Sequence, residues 1–439
     1  MSDIVKPSTL PGFWELLPKD QLLFDEMVEV VRSTYESFGF LPLDTPVLEK
    51  REVLLAKGGG ETEKQVYQLE SGKTEMAMRF DLTVPLARYV AQHYSDLSFP
   101  FRRYHIAKVY RGERNQRGRY REFYQADIDI IGNGSLDVYH DAEVVAIIEQ
   151  IFRRLAFGEF VIRINHRKMM SGALEAIGVA DPLATMGILD KREKIGDDKL
   201  RELLTEAGEG AHCDEIFALL DIEGSNEEKL EALENRFDGG EDFKTGIDEM
   251  KRILCYAKLL GIEDNHLCID FSIVRGLDYY TGAVFETSLV DAPELGSVCS
   301  GGRYENLAGY YTKQHLPGVG ISIGLSRLFF QLKDAGILKE KETKVADAMV
   351  IPMDGVFEEA IALTRNLRER GLHVILYSES GKLGKKFKYA DAMGVPYVLV
   401  LGEEEVKANS VTLRNMVSGE QETLSYEAAG DCILKAKGV

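Results

Sequence analysis

Cysteine is scarce in this sequence, and its spacing does not suggest metal ligands. Five cysteines occur in 439 residues, their number is odd, and no Cys-x-x-Cys pair is present. Scattered cysteines of this kind are typical of a reduced cytosolic protein without a zinc site. We therefore expect a cytoplasmic location.

Long apolar stretches are absent as well. No run of about 18 apolar residues occurs, so the sequence predicts no membrane span. Residues 1–6 lack the basic and then apolar pattern of a signal peptide. With 45% hydrophobic and 28% charged residues the composition is that of an ordinary globular protein, and the length suggests roughly two to four domains.

Positive charge is in deficit overall, but it is unevenly distributed. The net charge is −19, which by itself disfavours a nucleic-acid partner. Residues 201–250 contain 16 acidic and 4 basic residues, whereas residues 101–122 contain eight basic and two acidic ones. Local patches decide where phosphate groups bind. Residues 101–122 therefore remain a candidate phosphate-binding region.

Residues 110–129 combine an arginine-rich turn with a strand that has one polar face. Alternate side chains of a strand point to opposite faces. One face carries a cation, an aromatic ring and three amide or acid groups: Arg121, Phe123, Gln125, Asp127 and Asp129. The alternate positions from Tyr124 to Ile130 form the other face and are apolar. A solvated charged hairpin is the alternative. However, the polar face is costly to bury unless it meets a polar, charged ligand, such as a nucleotide together with an amino acid.

Three further segments have the residues of a polar pocket, and each also has a simpler interpretation. In Met76–Val84, residues Arg79, Asp81 and Thr83 would share a strand face, which could instead be an exposed amphipathic strand. Val274–Gly282 and Cys299–Tyr304 together contain tyrosines, arginines and an acid, which could form a pocket wall. The simpler interpretation is a hairpin with glycine turns. The glycines of Gly318–Leu328 would let a ligand approach the backbone just before Arg327. The simpler interpretation is that they allow close packing of a helix.

The order of predicted elements favours an α+β fold. A helix from about Asp20 to Gly39 is followed by several strands, which argues for an antiparallel sheet. Residues 168–262 are helical and acidic, and strands return after them. A polar linker at 339–345 precedes a region in which strands and helices alternate. We therefore predict domains at 1–167 with 263–338, at 168–262 and at 346–439.

Taken together and in this order, these segments resemble the histidyl-tRNA synthetase family of class II aminoacyl-tRNA synthetases. Residues 110–129 resemble class II motif 2, Gly318–Leu328 resembles motif 3, and the segment ending at Pro46 resembles motif 1. Arg275–Tyr280 and Cys299–Arg303 are similar to the two signatures specific to the histidine enzyme. The resemblance implies a class II antiparallel-sheet catalytic domain with a helical insertion, followed by an α/β anticodon-binding domain.

The implied activity is that of a histidine–tRNA ligase. Histidine would react with ATP to give histidyl-adenylate and pyrophosphate, and the histidyl group would then pass to the 3′-end of its tRNA. The implied cofactors are ATP and Mg²⁺, and the resemblance assigns no protein ligand to the Mg²⁺ ion. The partners would be histidine, ATP and tRNA, with no membrane. Since motif 1 segments usually build a two-fold interface, a homodimer is expected.

The resemblance also assigns roles to individual residues. Catalytic cations would be Arg275, Arg111 and Arg327. ATP would be bound by Arg111, Glu113, Arg119, Arg121, Phe123 and Arg327. Histidine would be bound by Asp81, Thr83, Gln125, Asp129, Arg275, Tyr279 and Tyr280. The tRNA would be bound by Arg114, Gln116 and Arg117, with a second basic run at Lys382, Lys385, Lys386 and Lys388 that could equally be a solvated helix face.

Three positions depart from the pattern of the family. Some members carry Glu where this chain has Asp81 and Asp129, and the shorter acid keeps the charge but changes its reach. Ser326 stands where many members carry an acid, so a metal or ribose role is not expected for it.

Two other functions are compatible with parts of the pattern. One is a non-catalytic relative that acts as a regulatory subunit of histidine biosynthesis, and the other is a synthetase-like module that senses RNA. Relatives of the first kind typically lack the final domain and have eroded signatures. The presence of Arg111, Arg275, Tyr280 and Arg327 favours the enzyme.

Overall fold

The computed structural model describes residues 4–56, 65–112, 120–274, 280–338 and 345–437. The chain divides into two compact units, Met1–Lys339 and Glu340–Val439.

An eight-stranded sheet is the centre of the first unit. Across the sheet its strands are β1 (Leu41–Pro42), β5 (Phe101–Tyr110), β6 (Glu122–Ile131), β11 (Gly318–Ile323), β10 (Cys299–Tyr304), β9 (Tyr280–Leu289), β7 (Phe160–His166) and β8 (Leu267–Ile269). All pairs from β5 to β7 are antiparallel, and only the outer pairs β1 with β5 and β7 with β8 are parallel. The predicted antiparallel sheet is therefore confirmed.

A smaller antiparallel sheet corrects one prediction. Its strands are β2 (Leu48–Lys50), β4 (Thr74–Met78) and β3 (Gln68–Ser71). The strand predicted to extend to Val84 ends at Met78, and a helix begins at Thr83. Arg79, Asp81 and Thr83 therefore do not share a strand face, because the backbone turns between the first and the last of them.

Helices cover the sheet of the first unit. They are α1 (Pro18–Ser37), α2 (Arg51–Leu54), α3 (Thr83–Gln92), α4 (Tyr139–Leu155), α5 (Arg167–Ile177), α6 (Pro182–Leu189), α7 (Arg192–Ile195), α8 (Asp197–Glu206), α9 (Cys213–Leu220), α10 (Asn226–Arg236), α11 (Glu241–Leu259) and α12 (Leu325–Asp334). The first helix has Pro18 at its first position and is followed by Gly39 with φ +76°. Both are typical helix boundary residues.

The acidic helical region, α5 to α11, lies between β7 and β8 in the chain. Its buried side chains belong to the same hydrophobic core as those of the large sheet. One cluster of buried side chains contains Ile128 and Ile130 of β6, Val145 of α4, and Leu200 of α8. Helices α5 and α11 approach each other closely, because a Cβ added at Gly246 would lie 2.6 Å from the backbone nitrogen of Met169.

The described residues contain no single helix that is both long and apolar enough to cross a membrane. The helix pair α5 and α6, bent by 110°, meets the same length and composition criteria only when the two are taken together. Met169, Leu174 and Met186 on these helices are buried in the protein core.

The second unit has a five-stranded sheet of its own. Its strands are β13 (Val374–Leu376), β12 (Ala348–Pro352), β14 (Tyr397–Leu401), β15 (Ser410–Asn415) and β16 (Gln421–Ser425), and its helices are α13 (Phe357–Glu369), α14 (Leu383–Ala392), α15 (Glu403–Lys407) and α16 (Tyr426–Lys437). The first three strands are parallel, as the predicted alternation requires, whereas β15 and β16 form an antiparallel hairpin that the sequence did not predict.

Candidate active site

A cleft of about 630 Å³ lies on one face of the large sheet. Its walls come from the loop before α3, from strands β6, β9, β10 and β11, and from the start of α12. The residues that carry its polar chemistry are Asp81, Thr83, Arg111, Phe123, Gln125, Asp127, Asp129, Tyr280, Glu286, Tyr304, Ser322 and Arg327. Most of these side chains belong to segments that the sequence singled out.

Strand β6 places its two faces as its alternation predicts. Phe123, Gln125, Asp127 and Asp129 line the cleft, whereas the intervening apolar side chains pack in the core. The strand register puts Asp129 opposite Arg103 of β5 on one side and opposite Gly320 of β11 on the other. Since directly opposite residues share a face, Arg103 is on the cleft side of the sheet.

Two glycines make room on this face. A Cβ at Gly320 would lie 2.2 Å from Oδ1 of Asp129, and one at Gly302 would lie 2.9 Å from Cδ1 of Tyr280. Any larger residue would occupy the space beside the carboxylate and the tyrosine ring. The glycines of the motif thus form a floor that allows a ligand to approach the backbone closely.

Asp129 is held in position from two sides. Tyr304 donates its hydroxyl hydrogen to Oδ1 of Asp129 at 2.9 Å, and the Nη2 atom of Arg103 lies 2.6 Å from Oδ2. Burial raises the pKa of Asp129, while Arg103 and the Tyr304 hydroxyl act in the opposite direction. Asp129 as a whole is 4% exposed, and it lines the cleft.

Asp81 occupies a different position from the one predicted for it. Its Oδ1 accepts a hydrogen bond from the backbone N–H of Val84 at 3.0 Å, in the first turn of α3. Burial raises the pKa of Asp81, and that backbone hydrogen bond and the charge of Arg111 oppose the rise. Arg79 points away from the cleft and donates to the carbonyl oxygens of Thr45 and Lys108.

Two arginines and one aromatic ring form a second part of the cleft. Arg111 donates from Nε to the carbonyl oxygen of Phe80 at 3.0 Å, and its guanidinium lies 5.1 Å from the centroid of the Phe123 ring. Arg327, in the first turn of α12, donates from Nη2 to the carbonyl oxygen of Leu295 at 3.0 Å. Cations beside a flat aromatic surface are suited to binding phosphates and a stacked base.

Comparisons with known proteins agree with this geometry. Residues 12–328 match the family model described as histidyl-tRNA synthetase, and residues 347–436 match the anticodon binding domain. The chain belongs to the histidyl-tRNA synthetase family. The histidine–tRNA ligase of Clostridium tetani is 53% identical, covering 97% of this chain and 98% of the relative, and that of Finegoldia magna is 47% identical, covering 96% and 98%. The crystal structure of histidyl-tRNA synthetase from Nostoc sp. PCC 7120 has a TM-score of 0.90 at 37% identity, covering 99% of this chain and all of that one.

Several predicted residues of this histidyl-tRNA synthetase family member lie outside the described part of the chain or away from the cleft. Glu113, Arg114, Gln116, Arg117, Arg119, Arg275 and Tyr279 fall in the ranges 113–119 and 275–279, outside the described residues. Arg121 is described, but it does not line the cleft. Its Nη1 lies 3.5 Å from the carbonyl oxygen of Pro11, and its backbone N–H donates to the carbonyl oxygen of Gly12 at 2.9 Å.

Gln125 is fixed by one neighbour on the sheet. Its Nε2 donates to Oγ of Ser322 at 2.7 Å, whereas its buried Oε1 has no hydrogen-bond partner among the described residues. Gln125 lines the cleft, so an ammonium or hydroxyl group of a ligand could use this acceptor.

Arg303 and Ser326 have structural partners in this family member. Arg303 pairs with Asp141 and donates to the carbonyl oxygens of Leu136 and Asp137, so it holds the start of α4 against β10. The Ser326 side chain is fully buried and accepts a hydrogen bond from the backbone N–H of Tyr124 at 2.8 Å.

Sequence reasoning gave no role to Tyr304 and Ser322, which line the cleft, or to Arg103, which contacts the cleft residue Asp129. Tyr304 directly follows the glycine-rich signature Cys299–Arg303, and Ser322 lies two residues after Gly320 on the same face of β11, so a strand-face argument could have found both. Predicting the place of Arg103 would have required the pairing register of β5 with β6. The sequence does not define that register, because a long arginine-rich turn separates the two strands.

Proposed function

We propose that this protein is a histidine–tRNA ligase that works in two steps. A carboxylate oxygen of histidine attacks the α-phosphorus of ATP, and the bond to pyrophosphate breaks. A hydroxyl of the terminal ribose of tRNA then attacks the carbonyl carbon, and AMP leaves. The observation that carries the proposal is the cleft itself, in which a buried carboxylate pocket lies beside arginines and an aromatic ring.

The amino acid would occupy the pocket of buried acids. Asp129 would accept from one imidazole nitrogen and Tyr280 would contact the other, while Asp81, Thr83 and Gln125 would receive the α-amino group. A neutral imidazole has one donor and one acceptor. A site that pairs with both this donor and this acceptor rejects side chains lacking them by roughly 10⁴–10⁵-fold. Tyr279 would lie near the same ligand.

The nucleotide would occupy the arginine-rich end. Phe123 would stack on adenine, Arg111 would hold the α-phosphate, and Arg327 would hold the γ-phosphate. Glu113 and Arg119 would complete this subsite, whereas Arg121 lies away from the cleft. Arg275 would stand between the histidine carboxylate and the α-phosphate. ATP enters as its Mg²⁺ complex, so the ion is carried by the substrate. Phosphoryl chemistry of this kind depends on alignment and on stabilising negative charge, which arginines supply.

The tRNA would cross the arginine-rich turn and the second unit. Arg114, Gln116 and Arg117 are the proposed contacts in the turn. In the second unit Lys382, Lys385 and Lys388 are exposed and can reach a phosphate backbone. Lys386 does not belong with them, because its Nζ is buried and donates to the carbonyl oxygen of Pro352 at 2.7 Å.

We further propose that the protein is a cytoplasmic homodimer. Leu41, in the segment ending at Pro46 that resembles motif 1, is 63% exposed, and Leu48, two residues beyond that segment, is 44% exposed. Exposed apolar side chains at such a position support a subunit contact. Light scattering coupled to gel filtration tests this proposal, since a monomeric mass at micromolar protein concentration would refute it.

ATP–pyrophosphate exchange with each standard amino acid tests the proposed reaction. Exchange that depends on histidine alone, followed by charging of histidine tRNA, is the expected result. The regulatory-subunit alternative is not favoured, because the relatives that match nearly the full chain are histidine–tRNA ligases. That alternative would instead give histidine binding in calorimetry without any exchange.

A further inference from the structure

Arg103 is a fully buried cation under the amino-acid end of the cleft. Its side chain is 0% exposed. Its Nη2 lies 2.6 Å from Oδ2 of Asp129 and 3.3 Å from the carbonyl oxygen of Leu82. Its Nε and Nη1 have no hydrogen-bond partner among the described residues. A buried arginine is costly unless neighbouring groups use its charge.

The groups around Arg103 are mainly acids. Its positive charge acts on Asp81, Asp127 and Asp129, which are 7%, 2% and 4% exposed. Arg103 thus acts on three buried carboxylates, of which only Asp81 is also acted on by Arg111 among the described residues, and such a cluster of acids favours a cationic ligand such as an α-ammonium group. Without Arg103 the carboxylates would tend to take up protons rather than stay ionised.

We propose that Arg103 is a positioning residue for histidine recognition, which acts by holding Asp129 ionised and in one orientation. This inference rests on the proposed function. With Arg103 on Oδ2 and the Tyr304 hydroxyl on Oδ1, both oxygens of Asp129 are fixed, and each retains a lone pair. An ionised carboxylate only accepts hydrogen bonds, so the pocket demands an N–H donor from the ligand. The glycine floor at Gly320 leaves the space for that donor.

The choice of arginine follows from the same geometry. A guanidinium remains charged in a buried site and presents several N–H groups in a plane, whereas a lysine ammonium loses its proton more readily when buried. Arg103 can therefore contact Asp129 and the Leu82 carbonyl oxygen together. A lysine at this position would supply charge without the same pair of contacts.

The titratable groups that face Arg103 and Asp129 come from five elements. They are Tyr35 of α1, His105 of β5, Asp127 of β6, Tyr304 of β10 and Asp81 before α3, and Tyr280 of β9 acts on Tyr304. Burial lowers the pKa of His105 to about 3, so its ring is neutral at physiological pH. Of the described groups that face Asp129, Arg103 is therefore the permanent cation.

The test is the dependence of the histidine KM on pH in ATP–pyrophosphate exchange. Arg103→Met should raise the histidine KM at pH 7 at least tenfold, with a smaller change in kcat. Loss of the cation raises the pKa of Asp129 further, so this KM should fall again as the pH increases from 7 to 9. Asp129→Asn should show the same loss without recovery, and the double variant should lose no more than Asp129→Asn alone.

The matched control is Arg102→Met. Arg102 is the preceding residue on β5, points to the other face, and pairs with Glu143 at 2.8 Å. It should keep the wild-type histidine KM at every pH. If Arg103→Met raises the KM with an unchanged pH profile, Arg103 is only structural and the inference is overturned.

Two further outcomes are decisive. If Arg103→Met does not fold, Arg103→Lys carries the comparison, with an expected rise of at least threefold in the histidine KM. A lysine variant identical to the Arg102→Met control would overturn the inference. Wild-type protein that neither binds histidine in calorimetry nor supports exchange would refute the proposed function, and with it this inference.

Discussion

Ser326 shows that the surroundings of a residue can decide its role more strongly than its place in a motif. It immediately precedes Arg327, yet its hydroxyl is turned into the protein and satisfies the backbone of β6. A buried N–H group without a partner is costly. The serine therefore serves the strand that carries the cleft rather than the ligand in it.

Ser326→Ala tests this assignment. The Tyr124 N–H loses its acceptor, so we expect the free energy of unfolding to fall by about 1–3 kcal/mol. The KM for ATP and the dependence on Mg²⁺ should stay within twofold of the wild type, as measured by denaturant unfolding and pyrophosphate exchange. Ser322→Ala is the comparison variant, because Ser322 contacts Gln125 and should alter the histidine KM instead. A tenfold rise in the ATP KM of Ser326→Ala would contradict the assignment.

Asp127 predicts a pH-dependent stability. Burial raises its pKa from 3.8 to about 7. A raised pKa in the folded state means that the group contributes stability below its unfolded pKa and that this contribution is lost as the pH rises through 7. Asp127→Asn should therefore unfold less readily than the wild type at pH 8, by on the order of 2 kcal/mol, with no gain near pH 4. Equal differences at both pH values in denaturant titrations would exclude this explanation.

Strand alternation was enough to predict Gln125 and Asp129 as cleft residues, because period-two patterns depend only on local geometry. The roles of Arg103 and Arg303 depended on which residues lie opposite or pack against them. Arg303 is part of a recognised signature, yet its partner Asp141 is on α4, far away in sequence. A sequence pattern carries no information about such a partner.

At the level of elements, glycines in the helical region have two distinct uses. Gly246 on α11 faces the backbone of α5 and is buried, whereas Gly187 on α6 is exposed, with no atom within 4 Å of an added Cβ. Both positions read alike in the sequence, as glycines within helical segments. Only the packing of the helices distinguishes them.

These two glycines form a matched pair of variants. Gly187→Ala should stabilise the protein by up to about 1 kcal/mol, because alanine favours helix formation. Gly246→Ala should destabilise it by about 1–3 kcal/mol, since the methyl group meets backbone atoms that cannot easily move. Unfolding midpoints in denaturant measure both. A Gly246→Ala protein as stable as Gly187→Ala would show that α5 and α11 are not closely packed.

The boundary between β4 and α3 was the element that sequence reasoning missed near the site. Arg79, Asp81 and Thr83 alternate as in a strand, but Asp81 accepts from Val84 and so supports the start of a helix. A carboxylate that accepts from a backbone N–H in the first turn favours helix initiation. The same short polar alternation is compatible with both structures, and the hydrogen bond decides between them.

At the level of the whole molecule, each unit has hydrophobic clusters of its own. Those of the second unit contain residues such as Val350, Leu399 and Val398. The alternation up to Leu401 predicted this unit, but the β15–β16 hairpin lay beyond the predicted strands. Hairpins with strands of mixed polarity and partial exposure give a weak sequence signal.

A chain that ends at Leu338 tests the division of labour between the units. We expect ATP–pyrophosphate exchange with kcat/KM within about threefold of the full chain, because the cleft residues all belong to the first unit. Charging of tRNA should fall at least tenfold, since the phosphate contacts proposed for the second unit would be lost. Both activities can be measured on the same preparation. Unimpaired charging would remove the second unit from tRNA binding.

The position of β6 between β5 and β11 has a consequence for synthesis of the chain. β5 and β6 are neighbours in sequence and can pair soon after leaving the ribosome, but β11 is translated only after the whole acidic helical region. Until then the nascent chain exposes one edge of β6, and unpaired edges promote association with other chains. The negative charge of residues 201–250 emerges during this interval and disfavours such association. The region that separates β6 from its partner along the chain should thus also help to keep the unfinished protein in solution.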